Sequence, residues 1–421
     1  MAARSRYNAG VTVTAEDLAR ATTRLRLAPT DWGAWLEVAA LLQAVGAPDD
    51  AETAFATIGE AARVAGRVAL AVACGRHLAA IGSVRGPELI EQVIDTYATG
   101  GPHFAFTTPP SPEEPPAIDW PAGEPIAQAR GVVEELGTWL VARRPAQVPP
   151  APLLSALSKP GARALIGVMT ARAYPAMKTI IEVGAPAQAL YWIAHGTVTV
   201  SRPKGPASPA ASGPVAQLAE LHSGAFFGEI ALVGGTKRTA NVTAAEDCWV
   251  LEIPARAVET AAQKHPQLAE VLAYHARARL LANVLRTSEL FKQLDDTAKQ
   301  ELLAKFSSEL VPQGMTFIRD GEPNDSLWVI VSGTCHVSSG GALVAELQPG
   351  AAVGEMSLVS GGAAGADVVA MEPAVLLRLS KQSFDAVAKH HPKLLAAVER
   401  LAKSREQANR ALFQDASELI V

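Results

Sequence analysis

The stretch "FGEIALVGGTKRTANVTA", residues 227–244, decides how the chain is read. Gly228 lets the backbone turn sharply or approach a ligand closely. Residues 229–233 can form one short helical turn whose free N–H groups face an anion. Glu229 there carries a carboxylate that can accept a hydrogen bond from a hydroxyl. Gly234 and Gly235 turn the chain back, and Arg238 arrives as the next alternating run begins. A guanidinium at that place can clamp a phosphate through two parallel hydrogen bonds. Together these groups suit a ribose phosphate.

The same frame returns as "VGEMSLVSGGAAGADVVA", residues 353–370, at an offset of 126. Gly354 and Glu355 are kept, while Phe227 becomes Val353 and the Arg position becomes Ala364. Upstream, "GAPAQALYWIAHGTVTV" (184–200) lies over "GEPNDSLWVIVSGTCHV" (321–337) at an offset of 137. The offsets differ by 11 residues, which marks an insertion in the first copy. It falls in "SRPKGPASPAASGP", a loop between strands, where a rigid scaffold tolerates length change. His265-Pro266 and His391-Pro392 also coincide, and read as helix-end features. Short, alternating, glycine-punctuated runs within each copy predict a small antiparallel barrel or jelly roll with flanking helices.

These residues resemble the phosphate-binding cassette of cyclic nucleotide-binding domains. That pattern runs Phe-Gly-Glu, a short helix, then Arg, a small residue and Ala. Here it reads Phe227-Gly228-Glu229-Ile230-Ala231-Leu232, then Arg238-Thr239-Ala240. The resemblance implies that Glu229 binds the ribose 2′-hydroxyl and Arg238 the cyclic phosphate. Gly228 and the amides of Ile230 and Ala231 would complete the cradle. Lys237 stands where the family usually has Pro, which adds positive charge. Thr239 resembles the residue of cyclic nucleotide-gated channels and cGMP-dependent kinases, so cAMP is placed first and cGMP kept open. The resemblance covers about residues 150–410 as two tandem domains. In the second, the loss of Arg at Ala364 implies no binding of an ordinary cyclic nucleotide: a structural role, or an uncharged ligand, is expected at Gly354, Glu355 and Ala364. Base-capping candidates are Thr297, Tyr274 and Leu280 or Leu281.

Before the copies, residues 14–98 show apolar residues at three- and four-residue spacing, as in "WGAWLEVAALLQAV", which predicts helices. Pro29, Trp35, Gly46, Ala51 and Phe55 follow the spacing of a tetratricopeptide repeat, with Leu78 and Gly82 hinting at a second copy; a plain helical bundle is the alternative. Residues 101–125 hold eight prolines, the composition of an extended linker. The expected organisation is therefore a helical, tetratricopeptide-like adaptor (14–98), a Pro-rich linker with one short helix (99–150), an intact domain (151–286) and a degenerate one (287–410). The fold class is multidomain α+β: an all-α region followed by two antiparallel β-roll or jelly-roll barrels with flanking helices.

The chain has 421 residues, a formal net charge of −5 and 49% hydrophobic residues. That balance does not suggest a nucleic-acid binder, which needs concentrated positive surface. Three dispersed cysteines (Cys74, Cys248, Cys335) match neither a metal motif nor a disulfide framework, and read as core thiols. No apolar run reaches membrane-spanning length, and the N-terminus does not read as a signal peptide. The expectation is a cytoplasmic protein. "VARRPAQV" (141–148) places Arg143, Arg144 and Ala146 as in a kinase inhibitor site, although Gln147 breaks the pattern; two arginines at a helix end are the alternative. The sequence contains no catalytic constellation. A non-enzymatic cyclic nucleotide receptor is expected, with no cofactor beyond its ligand and a protein partner engaged through the N-terminal helices. The alternatives are a nucleotide-free interaction scaffold and a regulatory subunit of a protein kinase.

Overall fold

The computed structural model describes residues 13–101, 114–116, 123–142, 151–203, 215–229, 237–274, 291 and 294–418. By its contacts the described chain divides into two units. The first comprises residues up to 229 with 240–273, and the second 237–239 with residues from 274 onward.

The first unit begins with helices α1 (Ala15–Leu27), α2 (Trp32–Ala44), α3 (Pro48–Val64), α4 (Val68–Ala80) and α5 (Arg85–Tyr97). Local chemistry sets their ends. Thr14 Oγ1 accepts from the Asp17 amide while Asp17 accepts from the Thr14 amide, the reciprocal capping box. Asp31 caps α2 by accepting from the Gly33 amide at 2.8 Å. Successive helices pack against each other. Trp35 and Phe55 are fully buried, and Trp35 Nε1 donates to the Pro29 carbonyl at 2.9 Å. The region is helical as expected; the structure adds nothing that ties it to the tetratricopeptide family.

Within the span expected as a linker, helix α6 (Pro125–Ala142) packs against α1 and α3. Arg130 holds Asp50 on α3 through Nε and Nη2 at 2.6 and 2.9 Å. Short helices α7 (Pro152–Ser155) and α8 (Lys159–Gly167) lead into the first barrel. Its strands are β1 (Thr170–Tyr174), β2 (Thr179–Ile181), β3 (Ala189–His195), β4 (Thr197–Pro203), β5 (Val215–His222), β6 (Phe226–Phe227), β7 (Asn241–Ala244) and β8 (Cys248–Pro254). They form two antiparallel sheets, ordered β1-β8-β3-β6 and β2-β7-β4-β5. Helix α9 (Ala255–Lys264) follows and ends on His265, its C-cap. Residues 266–274 continue as helix.

One hydrophobic core runs from the N-terminal helices into this barrel. Helix α4 packs on β3, β1 and β8. Where they meet, Phe55, His77 and Trp249 cluster with ring centroids 4.3 to 5.8 Å apart. The sequence suggested an adaptor tethered through a Pro-rich linker; the structure adds that the helices and the first barrel share buried apolar surface. The reason is composition. Helix α4, "VALAVACGRHLAA", is buried at ten of its thirteen residues, and a helix so largely apolar must be covered on more than one face.

The second barrel repeats the first. Helix α10 (Asp296–Lys305) precedes β9 (Ser307–Val311), β10 (Thr316–Ile318), β11 (Ser326–Ser332), β12 (Cys335–Ser339), β13 (Ala342–Leu347), β14 (Ala352–Val353), helix α11 (Glu355–Ser360), β15 (Asp367–Ala370) and β16 (Ala374–Ser380). Helices α12 (Lys381–Ala388) and α13 (Pro392–Glu418) close it. The sheets run β14-β11-β16-β9 and β10-β15-β12-β13, strand for strand the order of the first barrel. Even an irregularity is copied: the register slips between Ile193 and His195 in one, and between Ile330 and Ser332 in the other. Gly196 and Gly333 mark the following turn at φ 96° and 85°. A Cβ on either would lie 2.7 or 2.8 Å from the side chain of Cys248 or Ala374. The fold class read from the sequence is the one observed.

Candidate nucleotide-binding site

Strand β6 sets the approach to the first cassette. Phe226 and Phe227 pair with Trp192 and Tyr191 on β3. The Tyr191 ring stacks on Phe227 at 5.0 Å, and Trp192 Nε1 donates to the Gly224 carbonyl at 3.0 Å. The chain therefore leaves β6 from a fixed edge. Gly228 then adopts φ 88°, a left-handed conformation that side-chain-bearing residues avoid. That turn points Glu229 inward, where it is only 1% exposed. Arg238 is 6% exposed. Charged side chains are almost never buried without a partner or a task.

Thr239 and Ala240 are half-buried, and Ala240 packs against the barrel core. Ile230 and Ala231 lie outside the described residues. Glu229 belongs to the first unit, and residues 237–239 group with the second. Among the base-capping candidates, Tyr274 is 70% exposed and Thr297 is exposed on α10. Leu280 and Leu281 fall outside the described residues, as do Arg143, Arg144 and Ala146.

The second cassette is described throughout. Val353 on β14 pairs with Trp328 on β11. Gly354 turns at φ 89°, within a degree of Gly228, and a Cβ there would lie 2.5 Å from the Ser326 carbonyl. Glu355 opens α11 and is 1% exposed. Ala364 sits in the barrel core, its amide donating to Glu322 O and its carbonyl accepting from Gly321 N, both at 2.8 Å. The cation that Ala364 lacks comes from elsewhere. Arg405, on α13, donates from Nη1 to Glu355 Oε2 at 2.9 Å.

Arg405 went unnoticed in the sequence, although a signal was present. Leu394, Val398 and Leu401 recur at four and three residues on α13, and Arg405 takes the next place. A cation continuing an apolar stripe needs a buried partner.

The three cysteines are buried free thiols. Burial pushes the Cys248 and Cys335 thiols up to about 11, so they stay protonated and unreactive. Among the described residues, no group of His, Cys, Asp and Glu could hold a metal ion. No described helix is long and apolar enough to cross a membrane.

Comparison with known proteins agrees with this geometry. The family model described as "Cyclic nucleotide-binding domain" matches residues 171–265 and 309–391. A cAMP-dependent protein kinase regulatory subunit of Candida albicans is 26% identical over 173 residues, 40% of this chain and 35% of that protein. A cyclic nucleotide-gated potassium channel of Mesorhizobium japonicum is 31% identical over 107 residues, 25% of this chain and 26% of that one. The chain thus spans about a quarter to a third of these relatives. Among solved structures, the regulatory subunit of a cAMP-independent protein kinase A from Trypanosoma brucei is 22% identical, with TM-score 0.30, covering 62% of this chain and 87% of that one. The family matches fall on the two barrels that share one strand order and one Gly-Glu turn, and the chain carries two cyclic nucleotide-binding domains in tandem, homologous to those of cAMP-dependent protein kinase regulatory subunits.

Proposed function

We propose that this chain is a non-enzymatic cyclic nucleotide receptor whose first domain binds the ligand. The observation that carries this reading is the intact first cassette, with Glu229 and Arg238 both buried. In it, Glu229 accepts from the ribose hydroxyl and Arg238 receives the cyclic phosphate. Gly228 and the amides of Ile230 and Ala231 line the phosphate, and Thr239 and Ala240 flank it. Thr239 can reach a purine edge through its hydroxyl, so cGMP stands beside cAMP as ligand. No cofactor is required. Ligand binding draws the cassette inward, and the segment from residue 266 to 286 repacks. That is a two-state switch biased by differential affinity, read out by a protein partner on the N-terminal helices, and it operates in the cytoplasm.

Calorimetric titration of the full chain with cAMP and cGMP tests the reading. One site per chain is expected. Replacing a buried partner of the phosphate costs about 2–5 kcal/mol, so Arg238→Ala is expected to weaken binding at least about thirtyfold. Absence of binding by either nucleotide would overturn the receptor reading and leave an interaction scaffold. A second reading, regulation of a protein kinase, is favoured by the kinase regulatory subunits among the relatives. Nucleotide-released capture of a kinase by the full chain would distinguish it.

A further inference from the structure

A cavity of about 460 Å³ lies in the first unit, between helices α1 and α2 and the ends of β1, β3 and β7. No residue that lines it belongs to the cassette, and its volume is in the usual range for ligand pockets. Ala34 and Leu36 of α2 and Trp249 of β8 give it a buried apolar floor. The charged groups around it are mostly acidic. Among the described residues that line it, Arg24 is the one cation, and its guanidinium holds Glu37 at 2.6 Å. Asp247 accepts from the Ala176 amide at 2.9 Å. Asp31 accepts from the Gly33 amide, and neither Asp31 nor Glu246 has an ion pair among the described residues. His195 lines the same cavity; burial holds its pKa below the usual histidine value, so it adds no positive charge at neutral pH.

One hydrogen-bond donor in the floor is unused. Trp35, Trp192 and Trp328, all buried, donate from Nε1 to the Pro29 carbonyl, the Gly224 carbonyl and Asn324 Oδ1, as a buried indole ordinarily does. Trp249 is only 8% exposed, yet nothing among the described residues accepts from its Nε1. That N–H is not sealed off inside the protein; it opens on the cavity that Trp249 lines. A free donor there favours a ligand that brings an acceptor, while the carboxylates around the cavity favour one that brings a positive charge. The arrangement is not that of a metal site, since no group of His, Cys, Asp and Glu among the described residues could hold an ion. An anion would meet Asp31 and Glu246 while the one cation is already engaged with Glu37, and like charges brought together are repelled.

We propose that this cavity is a second ligand site, for a small organic cation that carries a hydrogen-bond acceptor on an aliphatic frame, the chemistry of an amino alcohol. Its ammonium group meets Glu246 and Asp31, its oxygen accepts from Trp249 Nε1, and its carbon chain lies on Ala34 and Leu36. A ligand held in this way touches α2 and the barrel at once. Binding therefore ties the N-terminal helices to the first barrel and stabilises the first unit by mass action. None of this depends on whether the cassette binds a nucleotide.

The test titrates the full chain, followed by ligand-detected NMR, with 4-aminobutan-1-ol and 6-aminohexan-1-ol. Each is run beside the diol, the hydroxy acid and the alkylamine of the same length. At least one amino alcohol is expected to bind at one site per chain, at least about tenfold tighter than its diol, which lacks the charge, with the hydroxy acid weaker still. The alkylamine, which lacks the acceptor, is expected to bind at least about threefold more weakly than the amino alcohol, and Trp249→Phe removes that difference. Glu246→Gln and, independently, Ala40→Trp, which fills the cavity from α2, each weaken the amino alcohol at least about fivefold. Glu246 is exposed, so its variant keeps the fold, and melting curves establish that the Ala40 variant folds. Binding of neither amino alcohol, equal binding of the diol, the hydroxy acid or the alkylamine, or binding that survives both Glu246→Gln and Ala40→Trp would overturn the proposal.

Discussion

The two barrels are the same construction with different electrostatics. Both enter the cassette through a two-residue strand paired to the third strand, and both turn on a left-handed glycine into a buried glutamate. In charge they part at the arginine position. The first keeps an arginine inside the cassette, while the second has alanine there and engages its glutamate with Arg405, 50 residues further along. A scaffold set by strand register and glycine turns can therefore persist while its charge is supplied from another element. In the second barrel the buried carboxylate of Glu355 is compensated by a cation from outside its cassette, as a buried charge requires.

If the barrels are built alike, their turns must fail alike. Gly196→Ala and Gly333→Ala each place a Cβ under 3 Å from a side chain at positive φ. Each is expected to cost about 3–4 kcal/mol, from backbone strain plus overlap, measured by denaturant unfolding. One tolerated and one disruptive substitution would break the equivalence.

Acid separates the two units. Burial holds His77, in the core shared by α4 and the first barrel, down to about 4. A depressed histidine pKa means the unfolded chain takes up the proton first. The folded state of the first unit is therefore fully stable above about pH 6.5 and loses stability as pH falls toward 4, by about 2–3 kcal/mol. His77→Leu is expected to flatten that slope. The second barrel has Val375 at the place of Trp249 in the aligned copies, and its unfolding is expected to lack this step. Melting followed from pH 7 to pH 4 would reveal either result.

Charge transfer between the cassettes sharpens the comparison further. Ala364→Arg returns a cation to the second cassette and is expected to raise its affinity for cAMP or cGMP by about tenfold or more, roughly 1.4 kcal/mol. Calorimetry in the Arg238→Ala background isolates that gain. No gain would mean that the space inside the second barrel, and not the missing charge, excludes the nucleotide. The smallest effect belongs to Arg405→Met, which leaves Glu355 buried without its cation. Because Arg405 is partly exposed, solvent makes up part of the loss, and about 1–2 kcal/mol of stability is expected to go.

Most of the second half of the molecule could be read in the amino acids. Gly196, Gly228, Gly333 and Gly354 stand out in sequence because only glycine enters the left-handed region freely, and each is found there. Alternating runs gave strands for the same local reason. The first cassette was equally legible, since Gly228, Glu229 and Arg238 lie within eleven consecutive residues. Arg405 was not, because no local pattern links it to Glu355. The covering of the first barrel by α4 was likewise hidden. An apolar helix states that it must be buried but does not name what buries it.

The sequence by itself determined the repeat, its turns, the retained glutamate of each cassette and the loss of arginine from the second. All of these follow from interactions over a few residues, or from comparing one copy with the other. Only the tertiary structure decided that the N-terminal helices share a core with the first barrel, and that α13 brings a cation to the second. Those outcomes depend on which distant surfaces meet, and burial energy is proportional to area without regard to sequence separation.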